Sequence, residues 1–323
     1  MNLEFKVSKI ANFFFFIDSF SEWNIYYRKK YNDEWIKQFG ELTNKEKNAL
    51  KNFRLIMQKK ENNGVSKKIR RCFYQKSEDI KTSFRKLEKI LNSKEIEMVK
   101  DTFNTLGPSF EKIWNSNLNT INHNKGIAIS GYKKIYKEIN LAYSKLESFY
   151  GDESKKAYSC NVYLIISPNR GGKAIRRDAI SIETEKLDPK DRYRFARLWF
   201  SIMHEMTHAR FENKKYKNWL KKFIEKNNFS KSELMKNRSQ KEVLREVITD
   251  LTKVALYHIL DKEGRIQIES LENKNKVLNL NTMEIRIRKE ICPTIEKYFL
   301  NKKKIDNDFL EKCLELIGKY SFI

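Results

Sequence analysis

Glycine and proline are scarce in this chain of 323 residues, at 10 and 4. An all-β sandwich or barrel needs a turn about every ten residues, and turns draw on those two residue types. That class is excluded, and a predominantly helical chain is expected. Cysteine is thin as well: Cys72, Cys160, Cys292 and Cys313 stand far apart with no CxxC pair. A zinc ribbon, a thioredoxin-like motif and a disulfide scaffold are therefore left out, and the four read as reduced core thiols. Long hydrophobic runs are missing too. The strongest, Ile10-Ala11-Asn12-Phe13-Phe14-Phe15-Phe16-Ile17, is interrupted by Asn12, ends at Asp18 and has no small-residue cleavage site after it. Neither a signal peptide nor a membrane span is read there, and a cytoplasmic protein with no membrane partner is expected.

Charge is abundant: 66 Lys and Arg stand against 42 Asp and Glu, a formal net charge of +24. Such an excess points first to nucleic acid or another polyanion. The chain is also rich in Asn and uses Lys far more than Arg, a combination that AT-rich codons produce without a selected partner. The local excess is greatest in segment 210–245, with twelve basic and four acidic residues. This segment could recruit an acidic partner or nucleic acid. Hydrophobic content of 40% and aromatic content of 13% rule out a disordered polybasic tail.

Two parts are expected. Residues 1–150 carry apolar positions at three- and four-residue spacing and read as a helical domain of unknown role. Breaks are expected at Gly107-Pro108 and at the Asn-rich run before Gly126, with His123 in an exposed loop and a final helix over 132–150. From Gly151 onward the texture changes. Val162-Tyr163-Leu164-Ile165-Ile166 and Ala179-Ile180-Ser181-Ile182-Glu183-Thr184 read as two neighbouring strands joined by a Gly-containing loop, the second half-exposed by its alternation. Asp188 as N-cap and Pro189 then open a helix to about 211. A second long helix is expected over 240–260, with Val243, Leu244, Val247, Ile248, Leu251, Val254 and Ala255 buried. Two more follow near 283–299 and 309–320, and the alternation of residues 285–288 leaves the first of these open to a strand. The fold class is α+β, mainly helical, with a small sheet before the 188–211 helix.

That helix carries His204-Glu205-Met206-Thr207-His208, an HExxH motif in a chain with only 4 His. Spacing four puts both imidazoles on one helix face, where two nitrogens can meet one Zn²⁺. Glu205 lies about 100° around the helix and can reach a water at the metal as general base. A catalytic zinc site needs a third protein ligand. Glu246, 38 positions after His208, is the candidate. Its competing reading is a buried salt bridge with Arg192 or Arg245. Asp250, one turn on, is a candidate hydrogen-bond acceptor for a zinc-bound imidazole. Glu212, one turn after His208, reads as a solvated acid, and Met203, Met206, Trp199 and Phe200 as core.

A strand, an HExxH helix and a later helix carrying Glu246 and Asp250 in an ExxxD element resemble the gluzincin branch of zinc metallopeptidases, the thermolysin-like enzymes. The resemblance covers about residues 160–260 and implies a zincin-like metallopeptidase domain over 151–323. It also implies zinc on His204, His208 and Glu246, water polarised by Glu205, support from Asp250, and a peptide or protein substrate. The substrate backbone would lie along the strand Ala179 to Thr184. The spacing from His208 to Glu246 is longer than in thermolysin-like enzymes. No motif picks out an oxyanion-stabilising residue; Tyr257, His258 and Tyr193 are the candidates.

Overall fold

A computed structural model describes residues 1–24, 29–61, 64–152, 158–169, 171–188, 190–227, 240–251 and 280–321. Helix starts follow from local side-chain chemistry. Thr43 and Glu46 exchange hydrogen bonds, Thr43 N–H donating to Glu46 Oε2 at 2.8 Å and Glu46 N–H to Thr43 Oγ1 at 3.2 Å. Asn92 and Glu95 repeat this reciprocal box at 3.1 and 2.9 Å. Each box satisfies amide groups that a helix start leaves unpaired. They open α3 (Asn44–Glu61) and α6 (Ser93–Lys134).

The chain divides into two compact units, one of residues 3–130 and 160–188, the other of 1–2, 131–159 and 189–323. This division does not follow the expected boundary at 150/151. The first strand, β1 (Asn2–Val7), is the reason: it joins the sheet formed by β2 (Ser159–Ile166), β3 (Gly171–Arg176) and β4 (Ala179–Thr184), in order β1-β2-β4-β3. The sheet therefore groups with α1 (Lys9–Phe20), α2 (Lys29–Phe39), α3, α4 (Val65–Arg71), α5 (Ile80–Leu87) and most of α6.

In this unit the apolar run expected to be neither signal nor span is the core helix α1. Phe13 stacks on Phe110 with centroids 4.4 Å apart, and Phe14 on Phe73 at 4.6 Å. Asn12, which interrupts the run, is buried and joins α1 to the sheet. Its Nδ2 donates to the carbonyls of Ser8 (2.8 Å) and Leu164 (3.0 Å), and its Oδ1 accepts from Ile166 N–H at 2.8 Å. Asn12→Leu would leave two buried β2 backbone groups without partners. The expected loss of stability is about 2–4 kcal/mol, read as a lower urea midpoint at unchanged slope. An unchanged midpoint would contradict this role.

Two sequence expectations are corrected here. The breaks at Gly107-Pro108 and in the Asn-rich run do not occur: α6 is one helix of 42 residues. Polar side chains in the run bond back to its own turns, Ser116 Oγ to Lys112 O at 2.7 Å and Asn117 Nδ2 to Ile113 O at 2.9 Å. Asn124 is buried and caps the 185–187 backbone, donating to Glu185 O and accepting from Leu187 N–H. His123 is exposed as expected, on a helix instead of a loop.

The second correction concerns β4. The Gly-containing loop is partly the strand β3, and β4 lies between β2 and β3, parallel to the former and antiparallel to the latter. Ala179, Ile180, Ser181, Ile182, Glu183 and Thr184 are all buried. The alternate polar residues are satisfied internally, as where Ser167 Oγ donates to Glu183 Oε2 at 2.9 Å. Both backbone edges of β4 are thus taken. A substrate strand cannot be added there, because strand addition needs an unpaired edge. In this sheet the outer edges are those of β1 and β3.

The other unit is helical: α7 (Tyr136–Tyr150), α8 (Arg192–Arg210), α9 (Lys214–Lys226), α10 (Gln240–Leu251) and the helices Leu280–Leu300 and Asn307–Ser321. The alternation at 285–288 is helical. Gly151 ends α7 in the left-handed conformation at φ 65°, where the amides of Gly151 and Asp152 return to Ser148 and Glu147. Phe149 packs edge-on against Phe309 at 5.2 Å and Phe299 at 5.6 Å. No described helix is long and apolar enough to cross a membrane. Cys72, Cys160 and Cys313 are buried free thiols, and Cys292 is partly exposed.

Candidate metal centre

The motif helix α8 starts at Arg192, later than Asp188-Pro189 implied, because Asp191 is its cap: Asp191 Oδ1 accepts from Arg194 N–H at 2.9 Å. Two anchors fix α8 in its unit. Near its start it approaches the end of α6 so closely that a Cβ on Gly131 would lie 2.5 Å from the Phe195 ring, so glycine permits the contact. At its end Arg210 is buried. The Arg210 Nε donates to Tyr143 Oη at 3.1 Å, Nη1 pairs with Asp152 at 3.0 Å, and the guanidinium lies 5.3 Å from the Tyr158 ring centroid. A buried Arg with this many partners holds the last turn of α8 against α7.

Between these anchors, His204 and His208 project from successive turns, with ring centroids 4.6 Å apart and planes nearly perpendicular. Val243, Leu244, Val247 and Ile248 form the buried stripe of α10, as the sequence implied for those four positions. That packing delivers Glu246 to the histidines. His204 Nε2 lies 3.1 Å from His208 Nε2, and Glu246 Oε2 lies 3.2 Å from His208 Nε2 and 3.4 Å from His204 Nε2. Among the described residues, these three are the group able to hold a metal ion. Burial alone would raise the Glu246 pKa, but its bonds to the two histidines hold it far below the usual carboxylate range. The competing reading of Glu246 is realised at the same time through the other oxygen: Arg245 Nη2 is 2.7 Å from Glu246 Oε1.

Glu212 is the site residue that sequence reasoning missed. Instead of being solvated it is buried, and its Oε1 lies 2.6 Å from His208 Nδ1. A carboxylate only accepts, so His208 Nδ1 carries a proton toward Glu212, which leaves Nε2 as the nitrogen that can ligate a metal once it is unprotonated. Thr249 Oγ1 donates to Glu212 Oε1 at 3.4 Å, and Arg245 Nε is 3.3 Å from Glu212 Oε2. Burial lowers the His208 pKa, but the bonds to Glu212 and Glu246 outweigh it and raise it. The signal available in the sequence was the spacing of four from His208, which puts Glu212 one turn on along the same face.

Glu205 is buried and, among the described residues, has no hydrogen-bond or ion-pair partner. Met203, Met206, Trp199 and Phe200 are core, as expected. The basic segment is part helix: α9 buries Tyr216, Leu220, Phe223 and Ile224 and exposes Lys214, Lys215, Lys221, Lys222 and Lys226. Tyr257 and His258 lie outside the described residues, as do Val254 and Ala255 and the side chains of Tyr193, Asp250 and Leu251. The chain matches no protein-family model, no curated protein and no solved structure.

Proposed function

We propose that the chain is a zinc-dependent peptide hydrolase on a zincin-like scaffold, with His204, His208 and Glu246 as metal ligands and Glu205 as general base. The donor triangle carries this reading. Its sides of 3.1, 3.2 and 3.4 Å match one face of a tetrahedron, whose edge is about 3.3 Å for bonds of 2.0–2.1 Å. Two imidazoles and one carboxylate are a catalytic donor set that leaves a fourth position for water. Bound Zn²⁺ supplies a Lewis acid that polarises a carbonyl and lowers the pKa of water toward about 7. Glu212 keeps His208 in the tautomer whose Nε2 can ligate. Glu205, with no competing partner among the described residues, takes the proton of the attacking water and passes it to the leaving amine nitrogen. The exposed lysines of α9, which follows α8 directly, favour an acidic substrate or partner.

Zinc content tests the ligand set. About one zinc per chain is expected in the wild type, and close to none in His208→Ala and Glu246→Ala. Full zinc retained in Glu246→Ala would remove Glu246 from the site.

A further inference from the structure

We propose that Arg245 is the positioning residue of this centre, a single guanidinium that fixes which oxygen of Glu246 faces the metal and holds Glu212 behind His208. The inference rests on His204, His208 and Glu246 being metal ligands and adds a residue to that reading.

Four side chains close a ring. His208 Nδ1 meets Glu212 Oε1 at 2.6 Å, Glu212 Oε2 meets Arg245 Nε at 3.3 Å, Arg245 Nη2 meets Glu246 Oε1 at 2.7 Å, and Glu246 Oε2 returns to His208 Nε2 at 3.2 Å. Each carboxylate therefore divides its two oxygens, one toward a histidine and one toward Arg245. Sequence adjacency does not explain the arrangement. Neighbouring helix residues point about 100° apart, and the second contact reaches from α10 across to Glu212, just beyond the end of α8.

The ring has two consequences. With Oε1 engaged by a charged donor, Glu246 would offer Oε2 to an ion held by the two histidines. Glu212, with a side chain only 2% exposed, faces Arg245 as its cation; without it the carboxylate would be a buried anion set against an imidazole and a hydroxyl. Lysine cannot replace this residue, because one ammonium cannot both hydrogen-bond Glu246 Oε1 and lie beside Glu212 Oε2 as its ion-pair partner.

The test uses the full chain, titrated with Zn²⁺ against a chromophoric chelator, alongside visible absorption of the Co²⁺-loaded protein. Arg245→Met and Arg245→Lys are each expected to bind zinc about 10–100-fold more weakly, the usual cost of losing a residue that orients a ligand. Their cobalt bands are expected to weaken as Glu246 turns both oxygens to the ion, a change that mere loosening of the fold does not produce. If Arg245→Met fails to fold, the double variant Arg245→Met/Glu212→Gln, which also removes the stranded anion, is compared with Glu212→Gln alone, and a further loss of zinc affinity in the double variant reports the hold of Arg245 on Glu246. Wild-type affinity and an unchanged cobalt spectrum in the Arg245 variants would overturn the positioning role while the metal reading stands. No zinc uptake by the wild type would overturn both.

Discussion

Glu205→Gln is expected to keep about one zinc per chain and to lose peptide hydrolysis by a factor on the order of 10²–10⁴, the usual worth of a positioned general acid-base group. The substitution preserves shape and removes only the ability to accept a proton. Glu205 is one residue from His204 but about 100° around the helix, so the donor triangle does not include it. It is buried and has no ion-pair partner among the described residues, so no described bridge is lost with its charge. A fall in kcat at unchanged zinc content and unchanged unfolding midpoint separates the catalytic role from a ligand or structural role. Full activity in this variant would sink the hydrolytic mechanism.

Asp18→Asn is expected to cost about 3–5 kcal/mol of stability, the range for breaking a buried ion pair from one side. Asp18 lies in the core of the sheet-containing unit. Trp23 Nε1 donates to its Oδ1 at 2.6 Å, while Arg70 and Lys173 approach its Oδ2 at 3.7 and 3.6 Å. Burial pushes its pKa up, but Lys173, Arg70 and the Trp23 bond outweigh that and lower it. For a carboxylate lowered on folding, the stabilisation is complete above its unfolded pKa of about 3.9 and disappears as pH falls through the lower folded value. The wild type should therefore lose this contribution only in acid, and the variant should lack it already at neutral pH. Urea unfolding at pH 7 and near pH 3 measures both; a deficit under about 1 kcal/mol at pH 7 would show the charge to be dispensable.

The candidate metal-binding histidines were legible because their pairing is local. HExxH needs only helical periodicity to bring two imidazoles together, and Glu246 stands on an apolar stripe whose spacing declares the buried face of α10. Glu212 was hidden by its neighbours. Beside Lys214 and Lys215 it reads as a surface acid, and its burial depends on Arg245 and Thr249, which reach it only once α10 has packed. The sheet was half legible for a similar reason. The β2 and β4 runs stood out, but which strand lies at the edge depends on pairing that no single segment encodes. The first strand carries a short signal of its own: Leu3, Phe5 and Val7 alternate with Asn2, Glu4 and Lys6, and β1 buries Leu3 and Phe5. In α6 the local cues of Pro108, Gly107 and Gly126 were overridden by packing, since Phe110, Ile113, Trp114, Ile121 and Ala128 are all buried along one continuous helix.

The bond from Asn12 to the Leu164 carbonyl spans 152 positions of chain, and this separation has a bearing on synthesis. At about 5–20 residues per second, the ribosome completes β2 roughly 8–30 s after α1 has been made. Throughout that interval Asn12 has no β2 backbone to bond, while the ring partners of Phe13 and Phe14, Phe110 and Phe73, are made sooner. A newly made α1 is thus an exposed aromatic segment until those rings follow it, the kind of surface that chaperones bind. The order of translation, more than final stability, sets how long this chain is open to aggregation.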